Sequence, residues 1–267
     1  MMLLKNIVSF FLLCIPVFVD AQQLPVSLDS MNRFFLKLNK DSLFVVNNLE
    51  YMIQKNLSTQ SLAFKFLTKN SDSVNTLLNY PKGVQMHTEY VIGKEGIDPQ
   101  LWENGIRSSP ISNNPDWKKI KAVIIKRYGN KYSESTLLDA QIRWYEYRND
   151  FPNRIKYTIQ KIENNGLDTA GLGRSFLNNM IYDLIFKHSN DTVALGKGLQ
   201  WAKILIDTEL PSANHYDTYA NILYKLGRKN EALLWQIKAV AMAPGNADIK
   251  NTFDKMKNNL PTWHVNN

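Results

Sequence analysis

The chain has one cysteine, Cys14, and it lies inside the first apolar stretch. With a single thiol there is no internal disulfide, no Cys-x-x-Cys redox pair and no thiolate cluster for zinc. Nor does any segment alternate apolar and polar residues long enough to require a sheet. Long apolar runs are missing too: Ile7 to Val19 falls short of the roughly 20 residues that cross a bilayer. Gly171-Leu172-Gly173 follows no strand and precedes no Lys-Ser/Thr, so it reads as a helix entry rather than a phosphate loop. Ser175 lacks the flanking glycines of a nucleophile elbow. The four histidines, His87, His188, His215 and His264, stand far apart, none at a two-ligand spacing. His87 reads as a surface or semi-buried residue and His215 as a structural residue beside a helix cap. Together these absences point to no catalytic residue, no metal and no cofactor.

Lys5 precedes the apolar run, and Val19-Asp20-Ala21 closes it with small residues at the cleavage positions. Residues 1–21 are therefore expected to be a signal peptide cut after Ala21, which makes the protein exported, periplasmic or extracellular. Cleavage removes the cysteine and leaves no integral membrane span. The mature chain must then be stable by packing alone, which a chain of about 250 residues can be.

Helical spacing recurs along that chain. Ser42 to Lys55 carries Leu43, Val46, Leu49, Tyr51 and Ile53. Trp117 to Tyr128 carries Trp117, Ile120, Ile124, Ile125 and Tyr128, and Ser175 to Phe186 carries Phe176, Met180, Ile181, Leu184 and Ile185. Asp98-Pro99 and Asn114-Pro115 each place a capping side chain before a proline suited to the first helical turn. Ser133 and Asp168-Thr169 offer further starts, and Gly129, Gly166 and Gly227 further stops. Eleven or twelve helices are expected, joined by short loops and hence antiparallel. The stretch from Ser108 to Pro115, with two prolines and several small polar residues, suggests a division into 22–110 and 111–267, and Asn79 to Gly83 reads as a turn.

One run is more specific. Tyr216-x2-Tyr219-Ala220-x2-Leu223, then Ala232-x3-Gln236, then Pro244 resembles the tetratricopeptide signature. In such a hairpin Ala220 and Ala232 let two helices approach closely. Tyr216, Tyr219 and Leu223 fill the seam, Gly227 permits the turn, Ala239 packs onward and Pro244 ends the second helix. Gln236 stands where the pattern has an aromatic, so a weaker contact to the next repeat is expected. Asp248 to Leu260, apolar on one side through Ile249, Phe253, Met256 and Leu260, suits a capping helix. Gly198 and Ala202 mark a degenerate repeat upstream. Gly198 to Lys203 and His215 to Leu234 also resemble the helical region that follows the thioredoxin domain in exported bacterial thioredoxin-family proteins. The resemblances imply an all-α fold of antiparallel hairpins stacked as a tetratricopeptide-like α-solenoid with a C-terminal capping helix.

In that architecture the first helices line a groove. Asp217, Asn221, Tyr224 and Lys225 lie away from the packing seam and are the groove candidates. The resemblance to peptide-binding tetratricopeptide domains makes Asn221 and Lys225 candidates for clamping a carboxylate, which Asp217 in the same stripe would repel.

The net charge is +8, and Lys5 and Asp20 cancel on cleavage. Residues 113–165 hold eleven Lys/Arg against six Asp/Glu, with the aromatic-rich Arg143-Trp144-Tyr145-Glu146-Tyr147-Arg148 among them. For an exported chain this reads as a solvated basic face with rings in the core rather than a nucleic-acid surface. Contact with an anionic envelope surface is the further expectation. The function expected is a non-enzymatic scaffold or binding protein for an unidentified envelope protein or peptide. The alternative is a cysteine-free accessory of an envelope thioredoxin-like redox system.

Overall fold

The computed structural model describes residues 26–56, 58–103, 109–169, 173–208 and 210–263. The leader Met1 to Ala21 with Cys14, Ser108, Gly171-Leu172 and His264 lie outside the described residues. The described residues are all-α, and consecutive helix pairs pack antiparallel. No strand occurs among them, only an isolated bridge between Trp102 and Pro110. The residues up to Ala140 form one compact unit and those from Gln141 a second.

The first unit begins with α1 (Leu28–Leu36), α2 (Lys40–Leu43), α3 (Val46–Lys55), α4 (Leu62–Lys69) and α5 (Ser71–Leu77). α6 (Gly83–Ile92) runs through a π-helical turn, π1 (Gly93–Ile97), into α7 (Asp98–Leu101). α8 (Trp117–Tyr128) and the start of α9 (Ser133–Tyr147) complete it. Met31, Leu49, Met52, Leu67, Val74 and Val84 meet in its core. The helix expected from Ser42 to Lys55 is interrupted at Phe44-Val45, where Val45 is extended. The Asn48 side chain donates to Ser42 O at 2.9 Å across the break. Two expected starts are corrected. Asp98 is not the cap of α7, because π1 leads straight into it and Ile97 takes the cap position. Its buried carboxylate instead pairs with Lys94 at 3.0 Å. Asp116, not Asn114, caps α8, accepting Lys119 N–H at 3.0 Å.

The second unit holds the rest of α9, then α10 (Phe151–Asn165), α11 (Gly173–Met180), π2 (Ile181–Phe186) and α12 (Thr192–Ile206). α13 (Ala213–Lys225), α14 (Lys229–Met242) and α15 (Ala247–Lys257) follow. The helix expected from Ser175 to Phe186 is therefore α11 continued as a π turn. α11 is described from Gly173 on, and the Asp168 carboxylate lies against Gly173, where an added Cβ would come within 2.3 Å of it. α12, α13, α14 and α15 each pack on the next, around a core of Ile181, Ile185, Phe186, Trp201, Leu205 and Leu223. Gly198 sits in the α12 seam, where an added Cβ would meet Ile185 and Ile222 at 3.2 and 3.3 Å.

Helix ends share one device. Gly227 takes φ +82°, a left-handed conformation, so that Arg228 N–H reaches Leu223 O at 2.9 Å. Asn79, Asn149 and Asn259 adopt the same conformation with the same reach back to Asn75, Tyr145 and Lys255. The Asn79 to Gly83 turn is where the sequence places it.

Candidate functional site

The site is built on the α13–α14 hairpin. Ser212 caps α13: its hydroxyl accepts His215 N–H at 3.4 Å, while Ser212 N–H donates to His215 Nδ1 at 3.1 Å. This reciprocal cap accounts for His215. Its pKa is lowered by burial first and by the Arg174 charge second. Tyr216 stacks on Trp235 at 5.7 Å and Tyr219 meets the same ring edge-on at 5.3 Å. Ala220, Leu223, Ala232 and Ala239 are completely buried. Ala220 and Ala232 lie in the same buried core and add little bulk there, while the Tyr216, Tyr219 and Trp235 rings pack beside them. α14 ends at Met242, and Pro244 is exposed in the turn to α15.

The four groove candidates do not share one open face. Asn221 and Tyr224 are buried, and Asp217 and Lys225 are half-buried. Asn221 Nδ2 donates to Asp217 O at 2.9 Å and to Asp217 Oδ2 at 3.1 Å. From α14, Gln236 Nε2 donates to Asp217 Oδ1 at 2.6 Å and to Ile249 O of α15 at 3.1 Å. Gln236 is wholly buried, so the contact to the next helix is kept, through hydrogen bonds instead of a ring. With both amide nitrogens turned to Asp217, Asn221 Oδ1 and Gln236 Oε1 are buried without a hydrogen-bond partner. Such acceptors cost about 1–3 kcal/mol each.

Asp217 is the electrostatic centre. Burial, opposed by the two amide hydrogen bonds and helped by the Asp248 carboxylate, pushes its pKa up to about 6. Among the described residues no Lys or Arg forms an ion pair with Asp217 or Asp248. Tyr182 of π2 joins the group. Burial, then Asp217, Asp183 and Asp248, push its hydroxyl up to about 12. Lys187 pairs with Asp183 at 2.6 Å and lies over the Tyr182 ring. The partly exposed edge of this cluster, formed by Asp217 and exposed Asp248, is anionic, while the unpaired amide oxygens lie buried behind it. It repels a carboxylate and suits an ammonium or guanidinium group.

Lys225 serves a different place. Its ammonium donates to Phe186 O at 2.6 Å and lies over the Phe186 and Trp263 rings. Burial lowers its pKa. A carboxylate clamp built from Asn221 and Lys225 is thus not assembled, since Asn221 holds Asp217 and Lys225 holds a main-chain carbonyl.

Other candidates are structural. His87 is 7% exposed, deeper than expected, and desolvation lowers its pKa to about 4. Glu95 of π1 accepts from Thr59 N at 3.0 Å and from Thr59 Oγ1 at 2.5 Å, and pairs with Arg127 at 3.0 Å. An open recess beside the Asn79 turn is lined by Asp72, Asn75, Thr76, Asn79, Tyr80 and Pro81. The Asn75 amide there is committed to Pro81 O and Val84 N–H. Trp144 is buried and Tyr145 stacks on Tyr157 at 5.4 Å, so those rings are packed. On α8, Lys121 pairs with Glu134, while exposed Lys118, Lys119 and Lys126 have no ion pair among the described residues. No described helix is long and apolar enough to cross a membrane.

Gln236, Tyr182, Phe186 and Trp263 were not among the site residues read from the sequence. Gln236 had a signal: a polar residue at a position the hairpin must bury needs partners. The others are joined only by the fold. No family model, curated protein or solved structure matches this chain.

Proposed function

We propose that the chain is an exported, non-enzymatic interaction protein whose C-terminal unit is a tetratricopeptide-like stack closed by α15. The observation that carries this reading is the α13–α14 hairpin, sealed through fully buried Ala220 and Ala232 and flanked by α12 and α15. A hairpin of that kind buries its apolar face only between neighbours, and the surface it leaves is used for gripping other chains. The polar groups that chemistry would need are engaged in holding helices: His215 in a cap, Glu95 on Thr59 and Arg127, Asn75 in a turn. The ligand is a protein or peptide of the cell envelope that presents a cationic side chain to Asp217. The exposed lysines of α8 form a second, weaker contact with an anionic envelope surface, attracted by charge and weakened by salt.

A photo-reactive amino acid at exposed Asp248, beside the Asp217 seat, tests the reading in intact cells. The expected result is a discrete protein adduct that disappears when Asp217→Lys reverses the charge. No adduct, or one indifferent to that reversal, would refute it. A thioredoxin-like protein in the adduct would identify the chain as an accessory of a redox system.

A further inference from the structure

The end of the second unit carries a separate feature. α15 stops in a left-handed turn at Asn259, φ +57°, with Leu260 N–H on Lys255 O at 2.9 Å and Asn259 N–H on Met256 O at 3.1 Å. Lys229 fixes the turn by donating to Asn259 Oδ1 at 3.1 Å. The reversal sends Pro261, Thr262 and Trp263 back onto the hairpin. Trp263 meets Phe186 edge-on at 6.4 Å and Tyr224 at 6.2 Å, with the Lys225 ammonium 5.2 Å from its ring centre. Lys229 lies over the other partner, Tyr224, at 5.6 Å. Ring edges and cations placed on π faces make this seat selective for an aromatic side chain.

Among the described residues the aromatic contacts of the strap are those of Trp263. Beyond Leu260 N–H, no backbone hydrogen bond ties residues 261–263 to the helices among the described residues, and Trp263 stays half-buried. Tyr224 OH and Thr262 Oγ1 are each buried with no hydrogen-bond partner among the described residues. The seat is anchored in the core of the second unit: Phe186 is fully buried with Trp263 packed against it, and Lys225 is fixed on the Phe186 carbonyl at 2.6 Å. The described strap thus occupies an aromatic seat without main-chain hydrogen bonds of its own.

We infer that the Phe186–Tyr224–Lys225 seat is a second binding site, for an extended tryptophan-bearing segment of a partner protein, and that Trp263 is its built-in competitor. The resident Pro261-Thr262-Trp263 shows the chemistry the seat accepts. Lys225 and Lys229 at its rim favour a partner segment with acidic residues beside the tryptophan. This goes beyond the Asp217 seat, and its opening is measurable in the purified chain whether or not a partner is captured in cells.

The test uses a fluorescently labelled peptide of Asn258 to Trp263, ends blocked, titrated into the full-length chain and followed by anisotropy. A tethered tail competes at an effective concentration in the millimolar range, so removing its ring opens the seat. The Trp263→Ala chain is expected to bind the peptide at least about tenfold more tightly than the wild-type chain. A peptide with alanine in place of its tryptophan is expected not to bind. Where the alanine chain fails to fold, Trp263→Phe is used and must still bind more tightly than wild type. Equal binding by wild type and variant, binding of the tryptophan-free peptide, or no binding at all would overturn the inference. A wild-type dimer that dissociates on Trp263→Ala would also overturn it, by assigning the seat to a second copy's tail.

Discussion

Replacing Asp217 by asparagine separates its charge from its shape. The native carboxyl has a pKa of about 6 because burial outweighs its two amide hydrogen bonds, whereas an unfolded aspartate titrates near 3.8. Between those values the folded chain holds a proton that the unfolded chain has released. The stability contributed by Asp217 is therefore fully present below about pH 3.8 and is lost as pH rises through about 6. Two pKa units correspond to roughly 3 kcal/mol across that window. Asparagine carries no charge to desolvate, and its NH2 group can face the unpaired oxygen of one turned amide while its carbonyl oxygen keeps the donor of the other. Urea denaturation of both chains from pH 4 to pH 7.5 reads the difference, in which all other titrations cancel. The asparagine chain should gain on the wild type by about 2–3 kcal/mol over that range. A difference that stays flat with pH would refute the burial of the charge, and with it the reading of this cluster as an unneutralised anionic seat.

His87 should show the opposite slope. Its pKa of about 4 lies below the unfolded value of 6.5, so its contribution is full above about pH 6.5 and is lost as pH falls toward 4. Against a His87→Leu chain the wild type should lose about 2 kcal/mol between pH 7 and pH 5, measured by the same melts. Ala232→Leu forces a larger side chain into the hairpin seam and should cost about 1–3 kcal/mol, while the same change at exposed Ala241 should be neutral. Equal effects at the two positions would place Ala232 outside the seam.

The fold was legible where period and punctuation agreed. Trp117 to Tyr128 is a helix over those residues, and Gly129, Gly166 and Gly227 take the positive φ their positions imply. Asparagines doing the same work at 79, 149 and 259 are harder to see, because asparagine is equally at home in caps and loops. The π turns escaped altogether. A π turn keeps the helical hydrogen-bond ladder and shifts the register only locally, so the apolar spacing of Ile181 to Phe186 still reads as helix. At the α13–α14 hairpin each position carries a size signal, with small Ala220 and Ala232 buried and Tyr216 and Tyr219 packed on Trp235. Side-chain direction beyond the seam was not legible. Asp217, Asn221, Tyr224 and Lys225 look alike as polar helix positions, yet α14, α15 and π2 decide which are covered. Trp263 reaches Tyr224 and Lys225 only because Asn259 reverses the chain.

The anionic seat is tested most directly by titrating the folded chain with N-acetyl-lysine methylamide while following the amide signals of Asp217, Asn221 and Gln236. Saturable shifts at these residues are expected above pH 6. They should weaken below it as Asp217 takes up a proton, and vanish in the Asp217→Asn chain. Equal shifts with the uncharged norleucine analogue, or tighter binding of a carboxylate probe, would contradict the account.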